Sequence, residues 1–437
     1  MKKIYVVLLI GIASIKGYSQ TPTATSTPVV VPAAPTVQAK EWDVSLYGFI
    51  RTDYIWDTRK SAQVREEQLN LYPLDVVLDA NGKDINAVGQ SNFLAITSRL
   101  GVKVKGPDVW GAKMSGTLEG DFFGNSETAT TSTIGLFRLR HAFVNMDWSK
   151  TSLTMGQTWY PTFIPEVFPG VENFNTGILF NVFGWASQVK LKQNFTKELS
   201  ATFTAFKERE FTAPGPGSQN SSSINSALPS LNAQLQYKGK NVFLGAGVEY
   251  KSMQPLTVSA SNLVTTEKVN SSSVFGYAKY SNDKVIIKAY GISGGNMNNL
   301  VMLGGFTGTT TAGIQSYDPT KTTSFWVDIA SNGKSIAPGF FFGNSKNNGA
   351  NTAATALNSI YMRGLTGSRV VDNVWRVSGR VDFKKNKFRV SPELEYTAAT
   401  WGDADLYGKA TTNKKDVGNL RTMVSVYIYF KPITKNN

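Results

Sequence analysis

Residues that alternate apolar and polar with a period of two, joined by links that are in turn short and long, limit this chain more than any other feature. In "VSLYGFIRTDYIW" the even positions Val44, Leu46, Ile50, Tyr54 and Trp56 make one apolar face, with Ser45, Arg51 and Asp53 opposite. In "LAITSRLGVKVK", Leu94, Ile96, Leu100, Val102 and Val104 oppose Thr97, Arg99, Lys103 and Lys105. In "AKMSGTLEGDF", Met114, Leu118 and Phe122 oppose Lys113, Thr117, Glu119 and Asp121. A two-residue repeat sends successive side chains to opposite faces of a strand and does not fit a helix. About sixteen segments carry it, near 44–57, 94–105, 111–123, 135–147, 151–159, 186–195, 198–207, 231–238, 242–251, 272–280, 284–292, 322–331, 335–343, 373–384, 387–401 and 419–431.

The links narrow the choice. "KGPDVWG", "DWSKT", "FTKE", "KGKN", "SNDK", "SNGK" and "KKNK" are short polar turns. Between them fall long loops rich in Gly, Asn, Ser and Thr, near 58–93, 124–134, 160–185, 208–230, 252–271, 293–321, 344–372 and 402–418. Such loops are out of place in a compact soluble domain. Short turns at one end and long loops at the other predict an all-β, up-and-down antiparallel barrel of about sixteen strands across a membrane. The turns are then periplasmic, the loops extracellular, and both termini periplasmic. Strand lengths suit a tilted crossing, and backbone groups in lipid are satisfied only if the sheet closes. Tyr54, Trp56, Trp148, Trp159, Trp185, Phe195, Tyr280, Trp401, Tyr427 and Phe430 gather near strand ends and are expected to form interfacial girdles.

The first nineteen residues, "MKKIYVVLLIGIASIKGYS", have the plan of a secretory leader: two lysines, an apolar run, then small residues. Residues 20–40 are Pro/Thr/Ala-rich, lack hydrophobic periodicity and read as a periplasmic linker. Residues 41–437 are the barrel. The chain has no cysteine, which excludes a disulfide framework and thiol chemistry. The last strand, "LRTMVSVYIYF", resembles the terminal recognition signal of outer-membrane barrels, though "KPITKNN" follows it.

A membrane barrel turns its apolar face to lipid and its polar face to the lumen. The residues expected to line the pore are therefore the bases Arg51, Arg99, Lys103, Arg138, Arg140, Lys190, Lys192, Arg376, Arg380, Arg389 and Arg421, and the acids Asp53, Glu119, Asp121, Glu393 and Glu395. Glu249 and Asp382 share the inward face. In "LFRLRHAFVNMDW", Arg138 and Arg140 point one way, into a water-filled lumen, and His141 falls on the lipid side as a girdle residue. The excess of bases favours anions, through pore charge and raised local anion concentration. The same charges also suit a lattice that stiffens the wall. Loop 160–185, "PTFIPEVFPGVENFNTGILFNVFGW", is unusually apolar and is expected to enter the pore as a constriction or to meet a partner.

Catalysis finds little support. One histidine excludes a multi-histidine metal site, and its expected outward position excludes a Ser-His-Asp arrangement. "GISGG" lacks the strand–loop–helix setting of a phosphate cradle. The carboxylates of Glu119 and Asp121 are better explained as balancing lumen arginines than as an acid–base pair. Basic residues are scattered rather than gathered, against nucleic-acid binding. No enzyme activity, metal or cofactor is expected.

"LYGFIRTDYIWDTR", "SRLGVKVKG", "GTLEGDFFG", "FRLRHAFV" and "MGQTWYPTF" follow one another as in the DcaP-like family of Gram-negative outer-membrane porins, which this chain resembles over most of 44–402. The later "WRVSGRVDFKKNKFRVSPELEYTAATWG" resembles the last barrel hairpin of relatives of that group. The resemblance implies a sixteen-stranded homotrimeric porin in the outer membrane, in contact with its lipid and passing small polar or anionic solutes. Some members carry an N-terminal coiled coil, where this chain has the Pro/Thr segment 20–40 without heptads. The reading is a passive porin with anion preference. The alternative is a scaffolding barrel, its lumen plugged by loops, in a larger assembly with other outer-membrane proteins.

Overall fold

The alternating segments become strands because each can bury one face and bond its backbone to two neighbours. The computed structural model describes residues 42–64, 69–124, 135–174, 176–208, 210, 214–217 and 220–430. The leader, the linker and the terminal "KPITKNN" lie outside them. Sixteen strands close into one antiparallel barrel. They are β1 (Asp43–Asp57), β2 (Gln90–Leu94 and Arg99–Lys105), β3 (Lys113–Asp121), β4 (Arg138–Asp147), β5 (Thr151–Trp159), β6 (Trp185–Asn194), β7 (Leu199–Glu208) and β8 (Ser230–Lys238). There follow β9 (Val242–Met253), β10 (Val269–Ser281), β11 (Val285–Gly295), β12 (Lys321–Ser331), β13 (Ile336–Gly349), β14 (Arg369–Lys385), β15 (Phe388–Asp403) and β16 (Lys415–Phe430). The barrel closes between β1 and β16, in a register running from Gly48↔Phe430 to Asp57↔Arg421. Every expected segment overlaps a strand, and the link lengths alternate as expected. Among the described residues no helix is long and apolar enough to cross a membrane.

Outward positions are apolar and bare: Val44 is 63% exposed, Ile50 61% and Val274 58%. Near the long-loop end, aromatic pairs stand on this face, Tyr54 with Phe93 and Trp375 with Tyr396, their ring centres 4.7 and 5.5 Å apart. Such a continuous apolar band suits lipid, not water.

The interior meets one expectation, the entry of loop 160–185, and departs from another, a water-filled lumen along the whole inner wall. Loop 160–184 folds inward and is joined there by the hairpin Ser61–Val64/Leu69–Pro73 and by the start of loop 296–320. Together they bury an apolar core inside the barrel, including Leu69, Leu71, Val167, Ile178, Leu179, Phe180, Phe183, Leu300 and Met302. Each large side chain so buried contributes about 1.5–3 kcal/mol, which explains why loop 160–184 is apolar. Of the expected girdle, Trp159, Trp185, Trp401 and Tyr427 instead face inward. Trp401 donates to the carbonyl of Pro73 and Tyr427 to the carboxylate of Glu172.

Two irregularities overturn parts of the face assignment. On β4, Glu119 lies opposite His141 but Gly120 lies opposite Leu139, so Arg140 is an inserted bulge residue. A bulge adds one residue to one strand and reverses the alternation beyond it. His141 is therefore not on the lipid side; it is buried inside, with Nδ1 3.1 Å from the Thr158 hydroxyl. On β2, residues 95–98 loop out opposite 50–52, which turns Leu94 inward and buries Ile96.

At the long-loop end, segments expected to be loop form a small sheet of Gly304–Thr311, Ile314–Pro319 and Ile360–Arg363. Arg369 ties two loops together there, 2.7 Å from Asp75 and 2.8 Å from Asp403.

Candidate functional site: the barrel interior

Strand alternation brings the expected pore-lining charges to the inner face, but most are removed from water. In the first cluster Arg138 bridges Asp121 at 2.7 Å and Glu210 at 2.6 Å. Arg140, fully buried, bridges Glu119 at 2.8 Å and Asp121 at 3.1 Å. Both guanidinium groups lie over Trp185, at 4.5 and 4.4 Å. Arg99 adds a contact to Glu119 at 3.5 Å, and Tyr47 donates to the same carboxylate. The arginines of "FRLRHAFV" thus sit in a dry ion-pair lattice, and the expectation that they keep their hydration is corrected.

The second cluster ties the inner loop to the opposite wall. Arg51 pairs with Asp53 at 2.7 Å and donates to the Glu172 carbonyl at 2.6 Å. Glu393 accepts from the backbone N–H groups of Glu172 and Asn173. The Glu172 carboxylate is held by Tyr427 at 2.7 Å and Arg389 at 3.2 Å. Arg376, beside Glu395, donates to the carbonyls of Ile178 and Asn70, joining two inner loops. Arg421 pairs with Asp57 and Arg380 with Asp328, each at 2.8 Å. Arg389 also lies 3.6 Å from Asp382. Moving a charge out of water costs several kcal/mol, and this pairing is what makes so many buried arginines tolerable.

The far side of the interior is different in kind. Gln234, Tyr290 and Ser324 bond the carbonyls of Pro161, Thr162 and Phe180, and Lys288 donates to that of Phe168 at 2.9 Å, so loop 160–184 is held here mostly through neutral groups. Between that loop and the wall of β4–β8 lies a cavity of about 300 Å³, lined by Lys190, Lys192, Asp147, Glu166 and several hydroxyls and amides. Among the described residues neither lysine makes an ion pair. Lys103, at the short-turn end of β2, lies 5.0 Å over the Tyr47 ring. Glu249 is buried, accepting from Asn232.

Several interior charges escaped the sequence reading, among them Asp57, Glu172, Lys251 and Asp328. Lys279 and Lys288 face each other across β10 and β11, on the inner side with Tyr277 and Tyr290. Strict alternation through "FGYAKYS" and "IIKAY" contains that signal. Asp147 sits beyond the β4 bulge, and Glu166 lies on a loop, where no strand periodicity reaches it.

No family model matches the chain, and no curated protein sequence matches it. Solved structures do. The outer membrane channel DcaP of Acinetobacter baumannii superposes with a TM-score of 0.63 at 16% identity, over 89% of this chain and 97% of that one. An anion-selective porin from Comamonas acidovorans has a TM-score of 0.51 at 12% identity, over 89% and 100%. OmpT of Vibrio cholerae, outer-membrane expressed, has a TM-score of 0.51 at 12% identity, over 89% and 98%. Identities this low establish fold alone. In fold the chain is a sixteen-stranded barrel of the outer-membrane porin type, like the DcaP channel its strand motifs resemble.

Proposed function

We propose that this chain is an outer-membrane porin for passive diffusion of small hydrophilic solutes, with a preference for anions. One observation carries the preference: among the described residues Lys103, Lys190, Lys192 and Lys279 face the interior without an ion pair and outnumber the two unpaired carboxylates of the cavity, Asp147 and Glu166, whereas the interior arginines are neutralised by carboxylates. Unpaired lysines in a water-filled passage raise local anion concentration, and buried pairs do not. The Comamonas protein of the same fold is described as anion-selective; for this chain the support is the lysines. In this reading the leader 1–19 exports the chain, 20–40 is a periplasmic tether, the long loops face outward and the assembly is a homotrimer. The test is reversal potential across a planar bilayer under a KCl gradient. Wild type should favour chloride, and Lys190→Ala/Lys192→Ala/Lys279→Ala should move it toward potassium. An unchanged reversal potential in the triple variant rejects the preference.

The inner apolar core favours a second reading, a scaffolding barrel whose lumen is closed by its own loops. Its signature is a folded, trimeric protein without single-channel conductance.

A further inference from the structure

We propose that the cavity beneath residues 160–166 is a binding site for a small zwitterion of about dipeptide length. The argument starts from the register of the wall. Asp147, Ser152 and Lys192 are directly opposite one another on β4, β5 and β6. Asn145, Thr154 and Lys190 form the next inward row. Strands lie roughly 4.8 Å apart, so the Cα atoms of Asp147 and Lys192 are roughly 10 Å apart, with a hydroxyl between them. The side chains shorten that span to the separation of the charged ends of a dipeptide. Glu166 enters from the loop above and supplies a second negative group.

The four charges balance, and none has an ion-pair partner within the described residues. This separates the cavity from the arginine clusters, where carboxylates and arginines cancel one another in contact. A solute entering an enclosed space must exchange water for matching groups. A neutral polyol would leave all four charges without counterparts. A simple anion would satisfy the lysines and face Asp147 and Glu166 with its own sign. A carboxylate placed over Lys190 and Lys192 and an ammonium between Asp147 and Glu166 match both poles through charge-assisted hydrogen bonds. The side-chain carbonyl of Gln236 borders the same space and suits a peptide N–H, and Pro161, Phe163 and Ile164 roof it with apolar surface. The volume, about 300 Å³, lies at the lower end of small-ligand pockets. The inference rests on the channel reading only for how solute reaches the cavity; occupancy can be measured without conduction.

The experiment uses the leader-free barrel in detergent and isothermal titration with glycylglycine, N-acetylglycine, sodium gluconate and sorbitol. Glycylglycine should bind at least ten-fold more tightly than the other three. Lys192→Met and Glu166→Gln should each weaken it about ten-fold while heat-modifiable migration remains normal, which excludes misfolding. Glu166→Gln should also narrow the gap between glycylglycine and N-acetylglycine, because the ammonium has lost a counterpart. Gluconate binding as tightly as glycylglycine, or no binding by any of the four, overturns the proposal. A barrel that conducts but does not bind rejects the site and spares the channel; one that binds but does not conduct does the reverse.

Discussion

The two sides of the interior use their charged residues in opposite ways. Along β14–β16 and β1–β4, arginines and carboxylates pack into one another under tryptophan and tyrosine rings, away from water. Along β5–β8, Lys190 and Lys192 stand among hydroxyls and amides and border the cavity under the inner loop. The difference follows the inner loop. It is anchored by charged groups where Glu172, Asn173 and Ile178 reach the wall, and by neutral ones at Pro161, Thr162 and Phe180. Charge counted along a strand therefore says little about charge that a solute meets. Arginine suits the dry side because its planar fork binds two carboxylates at once; lysine on a flexible stem suits the wet side.

The largest expected effect breaks a dry pair. Asp121→Ala leaves Arg138 and Arg140 short of their shared partner, and the cost should be about 3–5 kcal/mol, as for other buried pairs with one member removed. Lys192→Ala should stay within about 0.5 kcal/mol. Denaturant unfolding of the refolded barrel measures both, and similar losses would erase the distinction between the two sides.

Next comes the anchor of the inner loop. Glu172→Ala removes the partner of Tyr427 and Arg389 and should cost roughly 1.5–3 kcal/mol, the range of hydrogen bonds to charged groups. Single-channel current should become larger or noisier as loop 160–184 loosens. Unaltered current would show that the apolar core alone holds it.

Selectivity offers a finer test. Lys190→Ala/Lys192→Ala should change anion preference by on the order of 1 kcal/mol, and the change should shrink at high salt. Arg138→Ala/Arg140→Ala should destabilise the barrel yet shift reversal potential less, because those charges are already neutralised. A larger shift from the arginine pair would place solute on the dry side after all.

The smallest effect belongs to the outer surface. Lys346 pairs with Asp372 at 2.6 Å, but its side chain is 43% exposed. Lys414 also reaches Asp372, so Lys346→Ala should change stability by only about 0.2 kcal/mol, the low end for exposed pairs. That value is the baseline against which the interior losses are judged.

The alternation of "VSLYGFIRTDYIW" and its fifteen counterparts was enough to give strand number, order and outward face, because a period of two is a local property of the backbone. Link lengths gave the antiparallel order and the two unlike ends. Inward placement of Arg51, Arg99, Arg138, Arg376 and Arg421 was legible for the same reason. His141 and Leu94 were misplaced because one inserted residue reverses a face, and nothing in "RLRHAF" or "FLAITSR" marks where the insertion falls. The fate of the charges lay further from reach. Arg51 meets Glu172, and Arg376 meets Asn70, across more than one hundred and three hundred residues of chain. Such contacts depend on where a loop comes to rest once the barrel has closed. Alternation determined which residues enter the interior. Only the packing of the inner loops decided which of them stay in water.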